Sequence, residues 1–332
     1  MTDGFVNFAE IEAAQAAIAG VVRQTFVNRS ESLTVSVDLP IYLKLEHQQI
    51  TGSFKLRGAS NAIAQLTEAE RARGVVGVST GNHGRGLAYA ARAAGVRCII
   101  CMSRLVPQAK IDGIKAQGAQ VRIVGRSQDE AQEEVDRLVA EEGMTMIPPF
   151  DHRAIIAGQG TLGLELVEQV PDLDTVLVPL SGGGLICGVA AAVKAKKPEA
   201  KIVGISMERG AAMHACLQAG RPVAVEELPT LADSLGGGIG LDNRHTFAMT
   251  RALVDDVVLL DEGEIARAIR HAYWRERQIV EGSGAVGIGA LLARKVTPVG
   301  PTVAILSGGN IDMEQHHRIV SGEDVDVTAE AA

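Results

Sequence analysis

Short apolar runs alternate with longer stretches of helical period through most of the chain. Runs at 41–45, 75–78, 98–102, 121–124, 175–178, 202–205, 257–260 and 303–306 predict strands. Phe8, Ile11, Ala14, Ile18 and Val22 recur at the spacing that places them on one helix face. Ser127 followed by Glu130 reads as a capping box, opening a helix that runs through Leu138. Strands alternating with helices predict an α/β protein with mainly parallel sheets covered on both faces. No internal repeat and no Pro- or Ser-rich linker divides the chain. Two units joined by short crossings are expected, the smaller spanning 53–149. Gly143 and Pro148-Pro149 mark its exit. Residues 1–52 and 150–320 make the larger unit, with 321–332 as a flexible tail.

Length and charge narrow the class. The 332 residues suffice for two cores. A net charge of −8 argues against a nucleic-acid backbone as partner, and aromatics at 3% leave few rings for bases to stack on. No apolar run approaches the roughly 18 residues of a membrane helix. Met1-Thr2-Asp3-Gly4 lacks the basic and apolar regions of a secretory signal. A soluble cytoplasmic protein acting on a small molecule is the expectation. Cys98 and Cys101 form a C-x-x-C inside an apolar strand run with no second pair elsewhere, which reads as buried packing rather than a metal site.

Three glycine-bearing segments carry the candidate chemistry, each at a strand-to-helix turn. In the first, Thr51-Gly52-Ser53-Phe54-Lys55, the lysine can project into a cleft with Phe54 beside it. The second, Ser181-Gly182-Gly183-Gly184-Leu185, offers backbone amides to a phosphate at a helix start; no Lys-Ser or Lys-Thr follows, so it is not a Walker loop. The third is Leu306-Ser307-Gly308-Gly309-Asn310. A Schiff-base lysine, a phosphate cradle and a hydroxyl for a ring nitrogen together make an anchor for pyridoxal 5'-phosphate. A neutral Ser307, in place of a carboxylate, leaves that nitrogen largely unprotonated, which suits prompt loss of a β-leaving group. A further turn, Ser79-Thr80-Gly81-Asn82-His83-Gly84, can hold the cofactor's phenolic oxygen through Asn82 and a substrate carboxylate through its hydroxyls and amides. Thr80 is a candidate for proton transfer; His83 is either a catalyst or a packed, hydrogen-bonded residue.

On these motifs, in this order and spacing, the chain resembles the fold-type II pyridoxal-phosphate enzymes (tryptophan-synthase-β-like) of the serine/threonine dehydratase family, from about residue 8 to about 320. The resemblance implies Lys55 as the cofactor lysine, Phe54 beside the ring and Asn82 on the phenolic oxygen. It implies the amides of Gly182, Gly183, Gly184 and Leu185 on the phosphate, Ser307 on the ring nitrogen, and Ser79, Thr80, Gly81, Asn82 and His83 around the substrate. A homodimer is implied as well. Segments 84–90, 101–107, 125–131 and 207–211 are most similar to the hydroxyectoine-utilisation dehydratases. An intact hydroxyectoine ring has no free primary amine, so a ring-opened β-hydroxy amino acid is the expected form of such a substrate.

The departures matter too. Thr80 stands where racemases of the family carry serine, and Ser181 stands where many relatives have a fourth glycine. Relatives with a divalent cation use a glutamate and a later aspartate; here Glu208 is followed by His214, so a divalent cation, magnesium or calcium, is disfavoured and no metal ligand is assigned. No regulatory segment follows residue 320, so feedback control by isoleucine is not expected. The reading is a lyase eliminating water from a β-hydroxy amino acid to give keto acid and ammonia. A racemase or β-replacement enzyme is the alternative, and a non-catalytic binding protein a more distant one. A Rossmann nucleotide binder is disfavoured because no strand leads into G-x-G-x-x-G.

Overall fold

The computed structural model describes residues 4–79, 81–104, 106, 108–126, 128–325 and 327. Among them are ten strands in two sheets. They are β1 (Val27–Arg29), β2 (Ile41–Lys44), β3 (Val75–Val78), β4 (Cys98–Met102), β5 (Gln120–Ile123), β6 (Thr145–Met146), β7 (Thr175–Pro179), β8 (Lys201–Met207), β9 (Asp256–Leu260) and β10 (Thr302–Ile305). The six-stranded sheet runs β1-β2-β10-β7-β8-β9 and the four-stranded sheet β5-β4-β3-β6. Every pairing is parallel except β1 with β2.

Side chains alternate across each strand, and this sorts the core. Val176, Val178, Val303 and Ile305 pack on one face of the larger sheet, and Leu177, Ala304 and Leu306 on the other. In β4 the same alternation sends Cys98 to one face and Cys101 to the other. The two thiols therefore cannot share a metal. Burial pushes them up to about 12 and about 11, so both stay protonated.

Two expectations are corrected. Helix Phe8–Ile18 opens on a capping box of Asn7 and Glu10 and buries Ile11, Ala14 and Ile18. It stops before Val22 because Gly20 turns the chain at φ +79°, and Val22 packs against the cluster of Leu56, Leu87 and Ile100 instead. Helix Gln128–Glu142 overshoots Leu138. Its expected cap, Ser127, lies outside the described residues. No helix among the described residues is long and apolar enough to cross a membrane.

Between the sheets lie helices Lys55–Ala64 and Arg153–Gln169, held by a buried ionic network. Arg57 donates from Nε and Nη2 to Glu46, both at 2.8 Å, and from Nη1 and Nη2 to Glu165 at 2.6 and 2.9 Å. Lys44 Nζ also donates to Glu165 at 2.5 Å. Lys44, Glu46 and Arg57 are fully buried. Burial opposes ionisation of Glu46, but the Arg57 guanidinium outweighs it and holds the carboxyl below its ordinary range. The helices approach so closely that a Cβ on Gly158 would lie 2.6 Å from Gly58 Cα. Arg57→Ala leaves two buried carboxylates short of their cation and is expected to cost about 3–5 kcal/mol, read from the urea midpoint. Arg29→Ala, which removes an exposed pair with Glu31, should change stability by less than about 0.5 kcal/mol.

Candidate active site

The lysine turn is pinned from below. Ser53 bridges to Gly308, and Phe54 N donates to Ser307 O at 3.0 Å. Gly52 turns at φ +78°, and a Cβ there would strike the Asn310 side chain. Lys55 then opens its helix, its Nζ donating to Pro149 O at 2.9 Å and lying 5.3 Å from the Phe54 ring centroid. Burial lowers its ammonium to about 8, with Glu281 opposing the shift. An amine so poised is neutral in a substantial fraction near pH 8 and can act as nucleophile or base.

At the carboxyl end of β7, Gly183 adopts φ +90° at the position before helix Gly184–Lys196, whose start receives no side-chain hydrogen bond from it. The Phe150 ring lies 2.4 Å from where a Cβ on Gly182 would stand, and Phe150 Cα lies 3.0 Å from one on Gly184. The backbone is thus bare, buried and uncapped, which suits an anion.

Ser79 Oγ accepts from the amides of Gly81 and Gly84 at 3.3 and 2.9 Å, which commits it to the start of helix Asn82–Ala93. Thr80 lies outside the described residues. The Asn82 amide is held at both ends: Nδ2 donates to Glu281 Oε1 at 2.6 Å, and Oδ1 accepts from Asn310 Nδ2 at 2.6 Å. His83 is buried, and its Nε2 donates to Ile147 O at 2.9 Å. Burial, with the Lys55 charge adding, depresses its pKa to about 3. It remains neutral, with that nitrogen's proton committed. Ser307 Oγ makes only a long bond, 3.5 Å, to Ser283 O.

Phe54, Lys55, Asn82, Gly182–Leu185 and Ser307 all line one cavity of about 360 Å³. Ser79, Gly81 and His83 line it too. A larger cleft of about 790 Å³ adjoins it, and the two share Lys110, Glu227, Asp233 and Gly236. Lys110 Nζ meets Asp233 Oδ2 at 2.9 Å on that boundary.

The sequence reading missed Glu281, which stands behind Asn82. Burial raises its carboxyl to about 7, and Asp233 adds to the shift while the Asn82 bond opposes it. The available signal was a lone acid ahead of the apolar, glycine-rich run of helix Gly282–Leu292. Glu208 and His214 do not converge. Glu208 lies 3.6 Å from Lys295 Nζ, and His214 lines a separate surface hollow with Thr250 and Asp255. Among the described residues no three metal-ligating side chains come together.

Residues 18–308 match the sequence model of the family described as pyridoxal-phosphate dependent enzyme. The chain belongs to that family. Its cofactor is pyridoxal phosphate. A putative threonine dehydratase of Sinorhizobium fredii is 60% identical over 318 residues, which cover 96% of each chain. An L-threonine ammonia-lyase of Thermotoga maritima is 42% identical over 95% of this chain and 78% of its own length. Among solved structures, maize serine racemase superposes with a TM-score of 0.90 at 35% identity, over 94% of this chain and 96% of its own. Within the family, this enzyme belongs with the dehydratases, or ammonia-lyases.

Glu281 makes stability depend on pH. Between about 4.5, the ordinary carboxyl value, and about 7 the folded chain keeps a proton that the unfolded chain has lost. The Glu281 contribution to the stability of the cofactor-free protein is therefore expected to fall as pH rises through that window, while His83, held neutral in the fold, contributes in the opposite sense. Glu281→Gln isolates the first effect: its melting temperature relative to wild type should climb as pH rises from about 4.5 to about 7.

Proposed function

We propose that the protein removes water, and then ammonia, from a β-hydroxy amino acid of the threonine or serine type, or from a ring-opened hydroxyectoine derivative. One observation carries the reading: a buried lysine amine, an uncapped glycine cradle and a serine hydroxyl held only by a long bond line the same cavity. The residues fit the cofactor. Lys55 would hold it covalently, and the amides of Gly182, Gly183, Gly184 and Leu185 its phosphate. Asn82 has a second amide hydrogen, beyond the one given to Glu281, for the phenolic oxygen. Ser307 would meet the ring nitrogen, with Phe54 beside the ring.

Bound there, the cofactor supplies an electron-poor ring that spreads the charge left at the substrate's α-carbon. The chain's own groups do the rest. Lys55, lowered to about 8 by burial, takes the α-proton as a neutral amine. The amide of Asn82, at a helix start whose Gly81 and Gly84 amides Ser79 already engages, would orient the substrate carboxylate. His83 would shape that wall rather than carry protons, since its Nε2 proton is committed to Ile147. The Thr80 hydroxyl is the proposed donor to the departing β-hydroxyl. The water lost is regained when the released enamine hydrolyses to keto acid and ammonia.

Borohydride treatment of the holoenzyme should abolish its visible band and label Lys55. Keto acid should form from L-threonine, L-serine or threo-3-hydroxyaspartate, and Lys55→Ala should lower turnover by about a thousandfold or more. Substantial activity of that variant without added amine would sink the assignment. A visible band with no turnover of the three substrates would favour the ring-opened hydroxyectoine derivative. The similarity to maize serine racemase supports a second reading, racemisation, for which D-serine would be the main product. The family resemblance extends the proposal to a cytoplasmic homodimer, testable by light scattering.

A further inference from the structure

Among the described residues, seven buried side-chain polar atoms have no hydrogen-bond partner, and Ser283 Oγ is the one whose residue lines the active-site cavity. Ser283 is 1% exposed and sits in the first turn of helix Gly282–Leu292. That helix start is wedged tightly. A Cβ on Gly282 would lie 2.1 Å from Leu231 O, and one on Gly284 would lie 2.4 Å from Gly308 O. Ser283 is thereby held against the segment carrying Ser307, and its carbonyl accepts the long 3.5 Å bond from Ser307 Oγ. A buried hydroxyl with no partner in the protein is costly, and burial of this one is accounted for if a partner arrives with a ligand.

We propose that Ser283 is a positioning residue for pyridoxal phosphate, an inference that rests on the assignment of Ser307 to the ring nitrogen. With the cofactor bound, the Ser307 hydrogen turns from the Ser283 carbonyl to that nitrogen. The Ser283 hydroxyl donates to Ser307 Oγ, which holds the turned hydroxyl in place and strengthens its own donation. Neither hydroxyl carries a formal charge, so the pair orients the ring without fixing a proton on it.

The test compares wild type, Ser283→Ala, Ser307→Ala and the double variant, each prepared without cofactor and titrated with pyridoxal phosphate. Cofactor-free Ser283→Ala should melt at or above the wild-type temperature, because an unpaired hydroxyl has been removed. Its cofactor dissociation constant should rise about three- to tenfold, and the gain in melting temperature on adding cofactor should shrink. The double variant should bind no more weakly than Ser307→Ala alone, since Ser283 acts through Ser307. An unchanged dissociation constant in Ser283→Ala, or losses that add in the double variant, would overturn the proposal. Failure of wild type to form a Lys55-linked cofactor would overturn the site assignment itself, and is seen before any Ser283 variant is made.

Discussion

The structure depends on the ionic network around Arg57. Its guanidinium accounts for all of its donors on Glu46, Glu165, Thr161 and the Arg23 carbonyl. Lys44 brings a second cation to Glu165, and Thr25 a hydroxyl to Glu46. Charges this deep are tolerable only when every one is matched in fixed geometry. The network therefore locks β2, the turn after it, helix Lys55–Ala64 and helix Arg153–Gln169 into one arrangement. Lys55 is two residues from Arg57, so the arrangement also sets where the reactive amine stands.

The cavity uses the same physics with smaller charges. Removing water lowers Lys55 to about 8 and His83 to about 3, and raises Glu281 to about 7. Each shift favours the neutral form. A wall that carries an amine, an imidazole and a carboxyl is thus held near neutrality, while the uncapped helix at Gly183 presents positive potential for an anion. Asn82 links these parts. Glu281 and Asn310 fix its amide orientation, and Asn310 also donates to the carbonyl of Thr51 below the lysine turn.

Much of this was legible in the chain. The apolar runs correspond to β2–β5 and β7–β10; all but the edge strands β5 and β9 are largely buried, and buried parallel strands need nearly continuous apolar residues. The strands that escaped notice, β1 and β6, are short and partly exposed, with no apolar pattern to betray them. The glycine segments were conspicuous because bare backbone is a composition signal. Glu281, Ser283 and Phe150 were not, since a lone residue of each type beside apolar or small neighbours looks like any other.

The sequence by itself determined which elements form, that two cysteines three apart in one strand face opposite ways, and where bare backbone meets a helix start. These are local properties, set by side-chain period and by backbone sterics. Only the tertiary structure decided that Asn82 is clamped by residues 199 and 228 positions away, that Ser79 is spent on its own helix, and that Glu208 faces Lys295 rather than His214. Burial and long-range pairing set those outcomes. Desolvation depends on everything packed around a group, and no spacing along one chain encodes it.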